Sequence, residues 1–229
     1  MALLVRSWNV FHGNASPPRR RSYLREMVAL ASADRPDLLC LQEVPMWGLE
    51  HLGSWSGMRP FPAVARRGLP HARLAGWATR LHNGLLRSAI TGQANAILVG
   101  GGHDVEDLGA ERVSDHGRER RVCQALRLDG SIVVANTHLG SAGAAQRVEL
   151  GRARAFAEAH AAPGDTVVLA GDLNILAPRL DGYSAAGPGI DHIVVRGAGT
   201  GELVVWPEAR RRQNGVVLSD HPPVELRVG

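Results

Sequence analysis

The chain contains no lysine: all 26 of its basic residues are arginine. A GC-rich coding sequence produces that bias, so a single arginine carries little information by itself. The net charge of +4 and a pI near 10 permit contact with phosphate-rich partners without identifying one. Cysteine is scarce. Cys40 and Cys123 form no Cys-x-x-Cys pair, and Cys40, within Leu38-Leu39-Cys40-Leu41, reads as a buried free thiol. Aromatic residues make up 4 % of the chain, which leaves few platforms for stacking single-stranded bases. No apolar run approaches the roughly 18 residues of a membrane span. From Met1 the chain runs directly into a strand-like segment, without the charged start, long apolar centre and cleavage site of a signal peptide, so a cytoplasmic location is expected. Repeats, low-complexity tracts and linkers are also lacking. One domain over residues 1–229, and a monomer, is the expectation.

What is present is an ordinary globular balance, 45 % hydrophobic and 21 % charged, long enough to bury a sizeable core. Its most informative stretch is Thr166-Val167-Val168-Leu169-Ala170-Gly171-Asp172-Leu173-Asn174. This continuous apolar run reads as a buried strand. It ends on a carboxylate and a carboxamide, groups that packing alone does not explain and that need partners when buried.

Other apolar segments end the same way. Ala2 to Val10 reads as a strand carrying Asn9, and Asp37 to Val44 as a strand carrying Glu43. Arg121–Leu128 and Ser131–Asn136 read as a hairpin through Asp129-Gly130, running into His138. Asp191 opens one further strand, and Asp220-His221 precede another, Val224 to Val228. Helices are expected over Ser22–Ala33, where an apolar stripe stops at Arg35-Pro36, around Pro45–Leu52, and over Ala144–Ala161. A strand is expected at Gln93–Val99 and another at Glu202–Trp206, whereas Gly53–Gly92 reads only as irregular strands and loops. Short strands with a few helices suggest an α/β domain, with sheets packed together and helices outside. In antiparallel neighbours, the end of one strand and the start of the next share an edge. The polar groups can therefore converge on one rim.

That set suits one chemistry. Glu43, helped by Asp172, Asn9 or Asp220, offers hard oxygen ligands for Mg²⁺ or Mn²⁺, and such a metal stabilises charge on a phosphoryl oxygen and its leaving group. Asp172 can position or deprotonate a water, with Asn174 fixing the phosphate. His221 can donate to phosphate oxygens or move a proton. Asp191 can hold that imidazole in one tautomer. The Arg19–Arg21, Arg66-Arg67, Arg118–Arg121 and Arg210–Arg212 clusters read as solvated surface, and His12 as a loop residue.

Ser7-Trp8-Asn9, Leu41-Gln42-Glu43, Asn136-Thr137-His138-Leu139, Gly171-Asp172-Leu173-Asn174, Ile190-Asp191-His192-Ile193 and Ser219-Asp220-His221-Pro222-Pro223-Val224 stand in an order that resembles the endonuclease/exonuclease/phosphatase superfamily, with its DNase I-like fold. The resemblance implies a four-layer α/β/β/α sandwich of two mainly antiparallel sheets and a Mg²⁺- or Mn²⁺-dependent phosphoester hydrolase, a phosphodiesterase or nuclease, with nucleic acid a candidate substrate. By motif it implies Asn9, Glu43 and Asp220 at the metal, Asp172 with Asn174 as the water- and phosphate-handling pair, and Asp191 with His221 as the carboxylate–imidazole pair. His138 and Asn95 are implied as substrate contacts. Val99-Gly100 stands where many bacterial members have Ser-Arg. A phosphomonoesterase or lipid phosphodiesterase, or a non-catalytic binding scaffold on the same fold, are the alternatives. The binuclear metallophosphoesterases need an early Asp-x-His and a Gly-Asn-His-Asp/Glu step, and neither is present.

Overall fold

The computed structural model describes residues 2–66, 92–116, 119–141, 143–184, 187 and 189–229. The chain order is β1 (Leu3–Asn9), β2 (Ala15–Ser16), α1 (Leu24–Ser32), β3 (Leu38–Val44), α2 (Leu52–Ser56), β4 (Arg59–Arg66), β5 (Gln93–Val99), β6 (Val105–Arg112), β7 (Val122–Leu128), β8 (Ile132–His138), α3 (Gly143–Ala159), β9 (Thr166–Asp172), β10 (Asp191–Arg196), β11 (Val204–Val205), β12 (Arg212–Gln213), β13 (Val216–Leu218) and β14 (Val224–Val228). The stretch expected to be irregular contains α2 and a regular eight-residue strand, β4; its remainder, 67–91, lies outside the described residues. The strand expected over Glu202–Trp206 shrinks to two residues, and β6 has no counterpart in the expectations.

Two sheets form the body. One has the order β11-β14-β1-β3-β5-β4, the other β10-β9-β8-β7-β6, and a small third sheet runs β12-β13-β2. Neighbours are antiparallel except β1 with β3 and β8 with β9. Strand alternation explains the layering. Val5, Leu38, Cys40 and Ile97 of the first sheet pack against Leu126, Val134, Val168, Ala170 and Ile193 of the second. The intervening residues point outwards. Leu39, Leu41 and Leu98 meet Leu24, Met27, Val28 and Ala31 of α1, while Val133, Ala135, Val167 and Leu169 meet Leu150, Ala153 and Ala157 of α3. This is the four-layer α/β/β/α sandwich. The β7–β8 hairpin closes through Asp129 and Gly130 at φ 48° and 72°, the conformation that an Asp-Gly turn favours. Among the described residues no helix is long and apolar enough to cross a membrane.

A buried polar stitch joins the sheets beneath one rim. Asn136 on β8 donates its amide to the carbonyls of Leu41 and Ala96, at 3.0 and 3.1 Å, and its oxygen accepts from Gln42 Nε2 at 2.8 Å. Asn136→Ala strands these buried partners. The expected cost is about 2 kcal/mol of unfolding free energy, read from a denaturant melt.

Candidate active site

The inward parity of each strand carries on to its last residue at this rim. Asn9 follows Val5 and Ser7, His138 follows Val134 and Asn136, and Asp172 follows Val168 and Ala170. The registers place His138 and Asp191 on either side of Asp172. Asn9 lies beside Gln42 on the facing sheet. Glu43 arrives differently. Alternation would turn it outwards with Leu41, but β3 slips register between Leu41 and Val44, and Glu43 adopts φ 55°. Val44 takes the outward place in the helix-facing core. The irregularity thus turns Glu43 into the rim.

Gly171 has a steric reason. It sits at φ 143°, and a Cβ there would lie 1.8 Å from the Thr137 carbonyl oxygen of the neighbouring strand. Only glycine lets β9 lie this close to β8 immediately before Asp172.

Asp172 is the node of the cluster. Its Oδ2 accepts from Asn9 Nδ2 at 3.0 Å and lies 3.4 Å from His138 Nε2 and 3.8 Å from His221 Nδ1. Its Oδ1 accepts the Asn174 N–H at 3.0 Å. Asn174, at φ 53°, anchors its own amide to the Leu139 carbonyl. Asp191 Oδ2 and His221 Nδ1 are 2.8 Å apart. His138 Nδ1 receives Arg121 Nη1 at 2.8 Å and lies 3.0 Å from Gln93 Nε2. An arginine can only donate, so Nδ1 accepts and the ring proton sits on Nε2, facing Asp172. Glu43 Oε2 lies 3.3 Å from His12 Nε2, and Oε1 lies 3.9 Å from His138 Nδ1. Asp220 is exposed beside His221, and its charge acts on that ring. Asn95 is buried and donates to the Val122 carbonyl across the sandwich at 3.1 Å.

The electrostatics follow from burial around these contacts. Burial pushes the Glu43 carboxyl up to about 7; the Asn9 bond and the cations His221 and Arg121 oppose the rise, and Asp172 adds to it. Burial, then the Asp191 charge, raise Asp172 above the carboxylate range against His221 and Asn9. Burial disfavours a charged His221, yet the bond and charge of Asp191, with Asp172 and Asp220, push it up to about 9. Burial and the neighbouring cations hold His138 well below the ordinary histidine value, in keeping with its neutral tautomer.

One oxygen or nitrogen from each of Asp172, Asp191 and His221 lies within 4.8 Å of the others. Asp191 Oδ1 is buried without a hydrogen-bond partner among the described residues. Glu43, Asp172 and Asp191 are carboxylates gathered in a confined space, and two of them are disfavoured as anions. An oxygen-rich set of this kind fits a hard divalent cation.

A model of the endonuclease/exonuclease/phosphatase family matches residues 7–221, from the strand that carries Asn9 through to His221. The chain belongs to that family. Among solved structures, TDP2 from Caenorhabditis elegans matches with a TM-score of 0.69 and 19 % identity, over 100 % of this chain and 74 % of that one. A conserved protein of unknown function from Enterococcus faecalis gives 0.71 at 14 %, over 99 % of both chains. A mannosyl-6-phosphatase from Bacteroides thetaiotaomicron gives 0.62 at 16 %, again over 99 % of both. At these identities the likeness establishes the DNase I-like fold. No curated protein sequence matches the chain.

Within this family frame, four residues reach the rim or its support that sequence reading passed over. His12 is buried against Glu43, in a turn where Phe11 and His12 both take left-handed φ, and is not a free-standing loop residue. Gln93 and Arg121 meet at His138. Arg121 and Arg211 correct the reading of their clusters as solvated surface: the Arg121 side chain is 12 % exposed, and Arg211 bonds the backbone before Asp220. The available signal was weak. Arg121 stands one residue before a strand whose neighbour ends in His138, but it is hidden among adjacent arginines. His192 faces away from the rim, as its place beside Asp191 requires, and bonds the Ile175 carbonyl at 2.8 Å.

Proposed function

We propose that this family member hydrolyses phosphoesters with the help of Mg²⁺ or Mn²⁺, as a phosphodiesterase or nuclease. The observation that carries this reading is the position of Asp172, in contact with Asn9 on one side and at the centre of the His138, His221 and Asp191 cluster on the other. Glu43 and Asn9 would hold the cation, with the exposed Asp220 as a further carboxylate. When bound, such a cation would neutralise charge on the phosphoryl oxygen and the leaving group. Asp172, whose pKa burial and Asp191 raise, orients water and takes its proton. The protonated His221 ring donates through Nε2 to a phosphoryl oxygen while Asp191 holds Nδ1. Asn174 keeps one amide proton for the phosphate after bonding Leu139. His138 presents its Nε2 proton between Asp172 and the substrate. Asn95, closed between the sheets, supports β5 and makes no substrate contact in this scheme.

Protonation states give the pH dependence. Asp172 must be ionised, so activity rises with pH through its pKa; a bound cation shifts that limb to lower pH by favouring the anion. His221 must be protonated, so activity falls near pH 9. In Asp191→Asn the stabilising charge is gone, and the falling limb of the kcat/KM profile moves down towards the ordinary histidine value.

The direct test is a substrate panel of bis-(p-nitrophenyl) phosphate, duplex and single-stranded DNA, RNA, and a sugar phosphomonoester, each with Mg²⁺ and with Mn²⁺. Turnover of a diester is the expected result. Turnover of the monoester alone replaces the diesterase reading with a phosphatase one, and binding of nucleic acid without turnover replaces it with a scaffold.

A further inference from the structure

Arg211 lies outside every motif that carries the proposed chemistry, yet its guanidinium is spent on the backbone of one. It ends the turn Glu208–Arg211 that leads into the small β12-β13-β2 sheet. From there Nη1 donates to the Leu218 carbonyl at 3.0 Å and to the Ser219 carbonyl at 2.7 Å. Its Nε is buried without a hydrogen-bond partner among the described residues. A half-buried cation with an unmet donor is a costly way to pack a loop.

The segment it holds needs holding. Ser219 sits at φ 59°, a conformation that a non-glycine residue keeps only when its surroundings impose it. Four other hydrogen bonds converge there. Ser219 N donates to the Asn14 carbonyl at 3.0 Å. Ser219 Oγ donates to the Asn9 carbonyl at 2.7 Å and accepts the His221 N–H at 3.1 Å. Trp8 Nε1 bonds the His221 carbonyl at 2.9 Å. The bonds to Asn14, Asn9 and Trp8 come from the first strand and the turn after it. Arg211 supplies a further tie, from the turn that precedes the small sheet. Ser219 is the pivot from which Asp220 and His221 project.

We propose that Arg211 is a positioning residue: by bridging the Leu218 and Ser219 carbonyls it fixes the left-handed Ser219 and so keeps His221 Nδ1 on Asp191. The small sheet then has a purpose, to deliver one cation to the back of the Ser-Asp-His turn. Without the bridge Ser219 relaxes towards ordinary φ, and the imidazole swings off its carboxylate. Because Nη1 alone makes both bonds, a lysine ammonium can replace it where a fork-dependent arginine could not be replaced.

The inference rests on the phosphoester reading for its kinetic arm but not for its spectroscopic one. The spectroscopic arm follows the hydrogen-bonded His221 Nδ1 proton by NMR in the full chain, assigned by its absence from His221→Gln. Arg211→Met, which keeps the apolar stem, is expected to lose that resonance, and Arg211→Lys to keep it. On a turned-over substrate, Arg211→Met should lose about 10- to 100-fold in kcat with KM changed by less than about threefold, the pattern of a displaced reacting group. Arg211→Lys should recover most of the loss. A folded Arg211→Met that keeps the resonance and a kcat within about twofold of wild type overturns the proposal. If Arg211→Met does not fold, a folded Arg211→Lys decides: the resonance present supports the bridge, and its absence overturns it. Should the wild type turn over no phosphoester, the phosphoester reading fails alone, and the resonance still decides the role of Arg211.

Discussion

Asp172→Asn is expected to lower kcat by about 10³-fold while leaving the melting temperature within about 4 °C of wild type. Asparagine fills the same space but lacks the charge that draws a proton from water. It also cannot satisfy its neighbours. Both Asp172 oxygens now accept, one from Asn9 and one from the Asn174 N–H. An amide offers one oxygen, so one donor would face the new NH₂ group. Stability suffers little because burial already disfavours the Asp172 anion. Removing a charge held above its ordinary pKa relieves that cost and offsets the lost hydrogen bond. Steady-state kinetics beside a thermal melt check both halves. A variant that lost activity only in proportion to lost folded protein would make Asp172 a structural residue.

Gly171→Ala carries the second large effect, and it acts through the backbone. The new Cβ would stand 1.8 Å from the Thr137 carbonyl oxygen, and 2.9 Å from its carbon, so no rotamer can relieve the clash. At φ 143° the alanine is strained even without a neighbour. β9 must move away from β8, or the peptide must rotate. Either costs about 3 kcal/mol or more, about 6–12 °C in melting temperature for a chain of this size. The residue displaced is Asp172, so activity should fall further than folded fraction. A denaturant melt with parallel kinetics separates the two. An alanine variant as stable as wild type would mean that the two strands do not lie this close.

The sandwich was readable because its strands are plain. Thr166–Asp172 is apolar to the last turn, and Asp129-Gly130 has the turn chemistry its hairpin demands. The convergence of strand ends on one rim was readable in outcome, though its cause is partly different. His138 and Asp172 share an edge because β8 and β9 are parallel, and Asn9 and Gln42 because β1 and β3 are. Glu43 was found as a polar group near a strand end rather than by alternation, which would have turned it outwards; the irregularity that presents it leaves no mark in Leu41-Gln42-Glu43-Val44. The edge strand β6 was missed because Val105–Arg112 is mostly exposed and acidic and breaks register between Asp107 and Ala110 around Gly109. Edge strands carry such charge and irregularity to resist further pairing, and those features erase the apolar alternation. Arg121 and Arg211 were hidden for a compositional reason. With no lysine and 26 arginines, only the folded chain separates those that bond the site from those facing water.

Metal-dependent turnover by the Asp172 rim is the central claim, and one titration meets it most directly. Wild type and Glu43→Gln, both stripped of metal by chelation, are titrated with Mn²⁺ while hydrolysis of bis-(p-nitrophenyl) phosphate is followed. The stripped wild type should be inactive, recover on Mn²⁺ addition and be silenced again by excess chelator, with Glu43→Gln needing about tenfold or more Mn²⁺ for half-recovery. Hydrolysis that persists in the stripped wild type, or that responds to Mn²⁺ identically in the two proteins, would contradict it.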